Sequence, residues 1–233
     1  MCRHHPHASL PCSHLTAHSL HSHQAAQNPA GAVQLASIPN ITVSQPLLET
    51  RGLKMNVPLD ARTPSYGDAG DSAQHNIPTM WDINFWSTYL DHMARYQYNM
   101  LSLWSLSPWP SILEFTGKYA GMSIDDVYRA DIDWVAANLK ELNSPVTPEV
   151  FSNLKLVKKI SISAKVKFWQ RVMQMADDRG IKVMLVTWNV FAYPIMDNET
   201  KNGINVDQTN PETIAWVRHA VNLTFATYPL VKQ

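Results

Sequence analysis

Along the body of the chain apolar positions recur with two different periods, and the switches between them predict the elements. Arg51 to Leu59 (RGLKMNVPL) reads as a strand, bounded by Gly52 at one end and the turn-rich DARTPSYGDAGD at the other. Asp82 is placed to cap a helix in which Phe85, Trp86, Tyr89, Leu90, Met93 and Ala94 return every three or four positions, the spacing of one helical face. Asn99 to Trp104 (NMLSLW) then reads as a short second strand, which Ser107, Pro108 and Pro110 stop.

A long connection follows. Within it Ser123 and Asp126 have the spacing of a capping box and predict a helix to about Leu142, with Val127, Trp134 and Leu139 turned inward. Ser163 to Arg179 predicts an amphipathic helix with Val166, Trp169, Val172, Met173 and Ala176 on one face and Gly180 as its stop. Ile181 to Trp188 (IKVMLVTW) follows as a third strand. Asn210 and Pro211 open a last helix to about Thr227, with Ile214, Val217, Val221 and Phe225 as its stripe.

Strand and helix alternating three times is the order of parallel α/β architecture. A complete eight-unit barrel takes about 250 residues. The expected fold is therefore α/β, a partial (β/α)8 TIM barrel made of the first three parallel strand-helix units, with a smaller open sheet as the alternative.

Composition separates off the first 48 residues. From Met1 to Pro46 there is no Asp or Glu and one Arg, while His4, His5, His7, His14, His18, His21 and His23 crowd together. With Cys2 and Cys12 these side chains suit zinc or copper, but their spacing matches no closed site. The expected organisation is a low-complexity, disordered His-rich leader over 1–48 and an incomplete barrel domain over 49–233. No secretory signal is readable in the leader, because polar residues and prolines interrupt every apolar run.

Charge and cysteine content exclude several partners. The net charge is zero and the pI about 7.2, so no long-range field gathers nucleic acid or an anionic membrane surface. No stretch reaches the roughly 18 consecutive apolar residues of a membrane span. Cys2 and Cys12 are the only cysteines, so no disulfide staples the body. There is no Gly-rich phosphate loop, no GxSxG and no HExxH, and no cofactor or metal is expected.

The strings RGLKMNVPLDARTPSYGDAGDSAQHNIPTMWD, YNMLSLWSLSPWPS, DDRGIKVMLVTWNVF and DQTNPETI resemble the opening of large bacterial barrel enzymes that degrade polysaccharides. The style is similar to that of the family 20 hexosaminidases and family 67 α-glucuronidases. The resemblance covers about Leu48 to Val231. It implies a carbohydrate substrate, an Arg-Gly opening of the first strand matched by Arg51 and Gly52, sugar contacts at the C-terminal ends of the strands, and a periplasmic or extracellular location. It also implies that the acid or base is carried after the fourth strand or later, and Tyr228 to Val231 is where that strand is expected to begin.

Barrel sites gather at the C-terminal strand ends and the loops beyond them. That rule selects Asn56, Asp60 and Arg62 at strand one, Trp104 and Ser105 at strand two, and Thr187, Trp188 and Asn189 at strand three. The expected substrate-binding set is Arg51, Asn56, Asp60, Arg62, Trp104, Trp188 and Asn189, which offers the amide, carboxylate, guanidinium and aromatic groups that sugars need. Each has a plainer use: Asp60 and Arg62 pair across a turn, Trp104 and Trp188 fill a core, and Asn189 caps its own loop. Glycoside hydrolysis normally needs two carboxyl groups, and only Asp60 is placed to supply one. The chain is thus expected to be a glycoside hydrolase fragment without turnover of its own. The alternatives are a non-catalytic carbohydrate-binding module and a barrel hydrolase of another class. A metal-dependent hydrolase needs His or carboxylates at strand ends, and strands two and three offer none.

Overall fold

Ten strands and α-helices follow one another among the described residues of the computed structural model, which are 46–63, 71–132, 151–187, 202–205 and 207–231. They are β1 (Gly52–Asn56), α1 (Asp71–Met80), α2 (Ile83–Arg95), β2 (Met100–Ser105), the one-turn α3 (Trp109–Ile112), β3 (Val127–Ala130), β4 (Leu154–Lys158), α4 (Ile162–Asp177), β5 (Lys182–Thr187) and α5 (Pro211–Thr227). The chain divides into two units, Met1–Glu49 and Thr50–Gln233, and all ten belong to the second. The His-rich tract, Trp188 and Asn189, and the predicted inward residues Trp134 and Leu139 lie outside the described residues.

β1, β2 and β5 form one sheet in that order, and both pairings are parallel. This is the winding the strand-helix alternation predicts. After α5 the chain returns to the free side of β5, where Val231 makes a parallel bridge to Val183. The described strands do not close into a barrel. Gly52 lets β1 approach β2, because a Cβ there would meet Met100 Cβ and the Met100 carbonyl at 3.2 Å.

Local chemistry sets the helix ends. Asp82 caps α2 by accepting from the Asn84 amide, Ser161 caps α4 by accepting from Ala164, and Asn210 caps α5 by accepting from Glu212 and Thr213. Gly180 takes φ +69° just past α4 and turns the chain into β5. The core lies between the sheet and α2 and α4. Trp86, Leu90, Met93, Trp169, Val172 and Met173 are buried there, with the Trp86 and Trp169 rings edge to face at 5.3 Å.

Two sequence readings are corrected. The helix expected after Ser123 is instead β3 over Val127–Ala130, paired antiparallel with β4. Asp126 has φ +54°, a left-handed conformation that no helical first turn can contain. Ser123 serves a turn, accepting from Phe115 N and donating to Leu113 O. The stripe on α5 is rotated by about one position. Thr213, Trp216, Ala220 and Thr224 are buried, while Ile214, Val221 and Phe225 are 36%, 39% and 37% exposed. The indole of Trp216 and the hydroxyls of Thr213 and Thr224 decide the rotation. Those hydroxyls bond Asn205 O and Ala220 O, so they enter the interior satisfied. α1 has no sequence signal, and Pro78 stands in its last turn.

Candidate functional site

Strand alternation gives the parallel sheet two unlike faces. One face carries Leu101, Leu103, Ser105 and Val183, all buried. The other carries Gly52, Lys54 and Asn56 of β1, Met100, Ser102 and Trp104 of β2, and Lys182, Met184 and Val186 of β5, which are exposed or half-buried. The register sets Asn56 beside Trp104 and Lys54 beside Ser102. The Lys54 ammonium lies 4.1 Å from the centroid of the Trp104 ring, and Trp104 Nε1 donates to Ser102 Oγ at 2.7 Å. An amide, an ammonium, a hydroxyl and an indole thus share this face, from the middle of the strands at Lys54 and Ser102 to their C-terminal ends at Asn56 and Trp104. Lys54 and Ser102 were not among the residues expected from sequence. Their signal was the two-residue alternation that links each to Asn56 and Trp104.

The other expected residues fall elsewhere. Ser105 follows Trp104 directly and so turns to the opposite, buried face. Thr187 is exposed and donates to Leu106 O at 3.0 Å. Arg51 stands at the N-terminal end of β1, away from Asn56 and Trp104. Its amide donates to Asn99 Oδ1 and its Nε to Gln97 O, both at 2.8 Å, and the second bond supports the left-handed Gln97 at φ +62°.

Asp60 is 2% exposed. Its carboxylate accepts from Arg62 N at 2.9 Å, Arg62 Nε at 2.7 Å, Arg62 Nη2 at 2.9 Å and Tyr128 N at 3.0 Å. Four donors fill the acceptor capacity of a carboxylate, leaving none for a substrate hydroxyl. Arg62 stacks over the Tyr128 ring at 4.5 Å and donates to the Asp125 and Asp126 carbonyls. The pair therefore fastens the segment after β1 to the turn that opens β3.

Lys165, in the first turn of α4, is fully buried. Its Nζ donates to Ile124 O at 2.9 Å and lies 5.3 Å from the Trp81 ring centroid. Burial outweighs the attraction of Asp60, Asp125 and Asp126 and lowers its pKa from 10.5 to about 8. Below about pH 8 the amine is charged folded and unfolded, so the burial cost is present in full. Between about pH 8 and 10.5 the unfolded chain holds the proton more often, so stability rises with pH. Relative to Lys165→Met, the wild-type protein is expected to gain about 3 kcal/mol across that window. Urea melts of both proteins at pH 7 and pH 10 measure this, and a constant difference would mean that the amine is not desolvated.

Among the described residues no group of three or more His, Cys, Asp or Glu is arranged to hold a metal, and no helix is long and apolar enough to cross a membrane.

No family model matches the chain. No curated protein matches it either. Among solved structures it is similar to a GH138 enzyme targeting pectin rhamnogalacturonan II, with 17% sequence identity and a TM-score of 0.48. The match covers 80% of this chain and spans 18% of that enzyme's length.

Proposed function

We propose that the sheet face that carries Lys54, Asn56, Ser102 and Trp104 binds carbohydrate, and that the chain is the sugar-holding part of a glycoside-hydrolase-like domain. One observation carries the reading: Lys54, Asn56, Ser102 and Trp104 share a face, and Asn56 and Trp104 stand on it at the C-terminal strand ends, where α/β barrels collect substrate. Sugars offer hydroxyl pairs and weakly polar ring faces. An amide and an ammonium suit the first and an indole suits the second.

In this reading the three parallel strands are a stretch of barrel wall, and Val231 beside Val183 takes the next position. The reading also assigns binding without turnover to the 233-residue chain, since the carboxylate of Asp60 is fully engaged by Arg62 and Tyr128. Asn189 and Trp188, which follow β5, are assigned to the same rim by the resemblance and by their place in the sequence.

Calorimetric titration of the whole chain with a panel of oligosaccharides tests the proposal. At least one is expected to bind, and Trp104→Ala is expected to weaken it at least tenfold while leaving the melting transition in place. If no oligosaccharide binds the folded protein, the reading fails. Release of sugar from any member of the panel would overturn the assignment of binding without turnover.

A further inference from the structure

The register of β1 against β2 sets Lys54 beside Ser102, and Trp104 stands two residues beyond Ser102 on the same face. Trp104 Nε1 donates back to Ser102 Oγ at 2.7 Å, which draws the indole along β2 towards Lys54. The Lys54 ammonium lies over that ring, 4.1 Å from its centroid. A cation in this position is attracted by the negative face of the ring.

A sugar would hold to the indole in a similar way, laying its weakly positive C–H groups on a ring face at van der Waals separation, about 4 Å. Ammonium and sugar therefore claim the same place over the ring. The two side chains differ in their freedom to give way. The indole is tied to Ser102, whereas Lys54 is exposed and carries its charge on a flexible four-carbon stem. The lysine is the side chain that can move. Once it has swung away, its amine meets water or sugar hydroxyls, and exchanging one of these for the other contributes little. The contact with the ring is the part of its interaction that has no replacement.

Building on the carbohydrate reading of this face, we infer that Lys54 is an internal competitor for the Trp104 platform: its ammonium covers the ring in the free protein and is displaced by a ligand that stacks there. The cover sets a threshold that a sugar must exceed, equal to one exposed cation–π contact. Removing it is expected to tighten binding about two- to fivefold.

The full chain and Lys54→Ala are titrated calorimetrically with the same panel of oligosaccharides, and the variant is expected to bind more tightly by that factor. Lys54 is exposed, so the core is left intact; should the alanine weaken β1, Lys54→Thr removes the ammonium with a better strand former. The second readout is the NMR signal of the Lys54 ε-methylene. The ring current of Trp104 is expected to hold it upfield in the free protein, and saturation with the tightest-binding oligosaccharide is expected to return it to the ordinary lysine position. Equal or weaker binding by the variant, or a methylene that stays upfield at saturation, overturns the competition and leaves carbohydrate binding itself standing. A methylene that is not upfield in the free protein overturns the cover whatever the sugars do. If neither protein binds any oligosaccharide, the carbohydrate reading falls and the role of Lys54 falls with it. Binding by the variant alone would support a stronger cover of the same kind.

Discussion

Asp60→Ala is expected to cost about 3–5 kcal/mol of folding stability, the range for removing one member of a buried ion pair. The Asp60 side chain is inaccessible, and that of Arg62 is 18% exposed. Truncation leaves the guanidinium without its bidentate partner and the Tyr128 amide without an acceptor. The loss also reaches beyond the pair, because Ala61 N donates to Tyr128 O beside it. Denaturant titration of the variant measures the effect. A cost below about 1 kcal/mol would mean that Asp60 is not the fastening described above. Asp60→Asn keeps one acceptor oxygen and is expected to fall between the variant and the wild type.

The second large effect is expected at Trp86. This residue is wholly buried, its Nε1 donates to Met80 O at 2.9 Å, and its ring lies edge to face against both Phe85 and Trp169 at 5.3 Å. Trp86→Ala removes the ring, opens a void between α2 and α4 and leaves the Met80 carbonyl without this donor, for about 3–5 kcal/mol. Domains of this kind are stable by only about 5–15 kcal/mol, so the variant is expected to be close to unfolded at 37 °C. Calorimetric melting tests this, and a transition within a few degrees of the wild type would show that the cluster repacks.

The parallel winding was readable because the helices between the paired strands carry a sequence signal, an apolar period on α2 and α4 and a cap before α2 and α5. Asp82, Ser161 and Asn210 all cap where polar residues precede a periodic run. The antiparallel pair of β3 and β4 was not readable. Its strands are short, and the S-x-x-D spacing that imitates a helix start is undone by a backbone conformation at Asp126 that no composition reveals. The α5 stripe failed for a different reason. Counting aliphatic residues favours Ile214 and Val221, whereas the interior took Trp216 and two threonines whose hydroxyls find carbonyl partners.

At the candidate site, Asn56 and Trp104 were legible from the strand-end rule. Their neighbour Lys54 was not, because it becomes a neighbour only through the register of β1 against β2. The plainer reading of Asp60 and Arg62, a pair across a turn, is the geometry the structure has.

The sheet order carries a kinetic consequence. β2 is the central strand, and between it and its partner β5 the chain passes through α3, the antiparallel pair β3 and β4, and α4. Closing so long a connection gives no return in contact energy until the strands are in register, and parallel pairing of this kind is slow. Until β5 arrives, one side of β2 offers its peptide groups to any other extended chain, which makes the interval before docking the period in which self-association competes with folding.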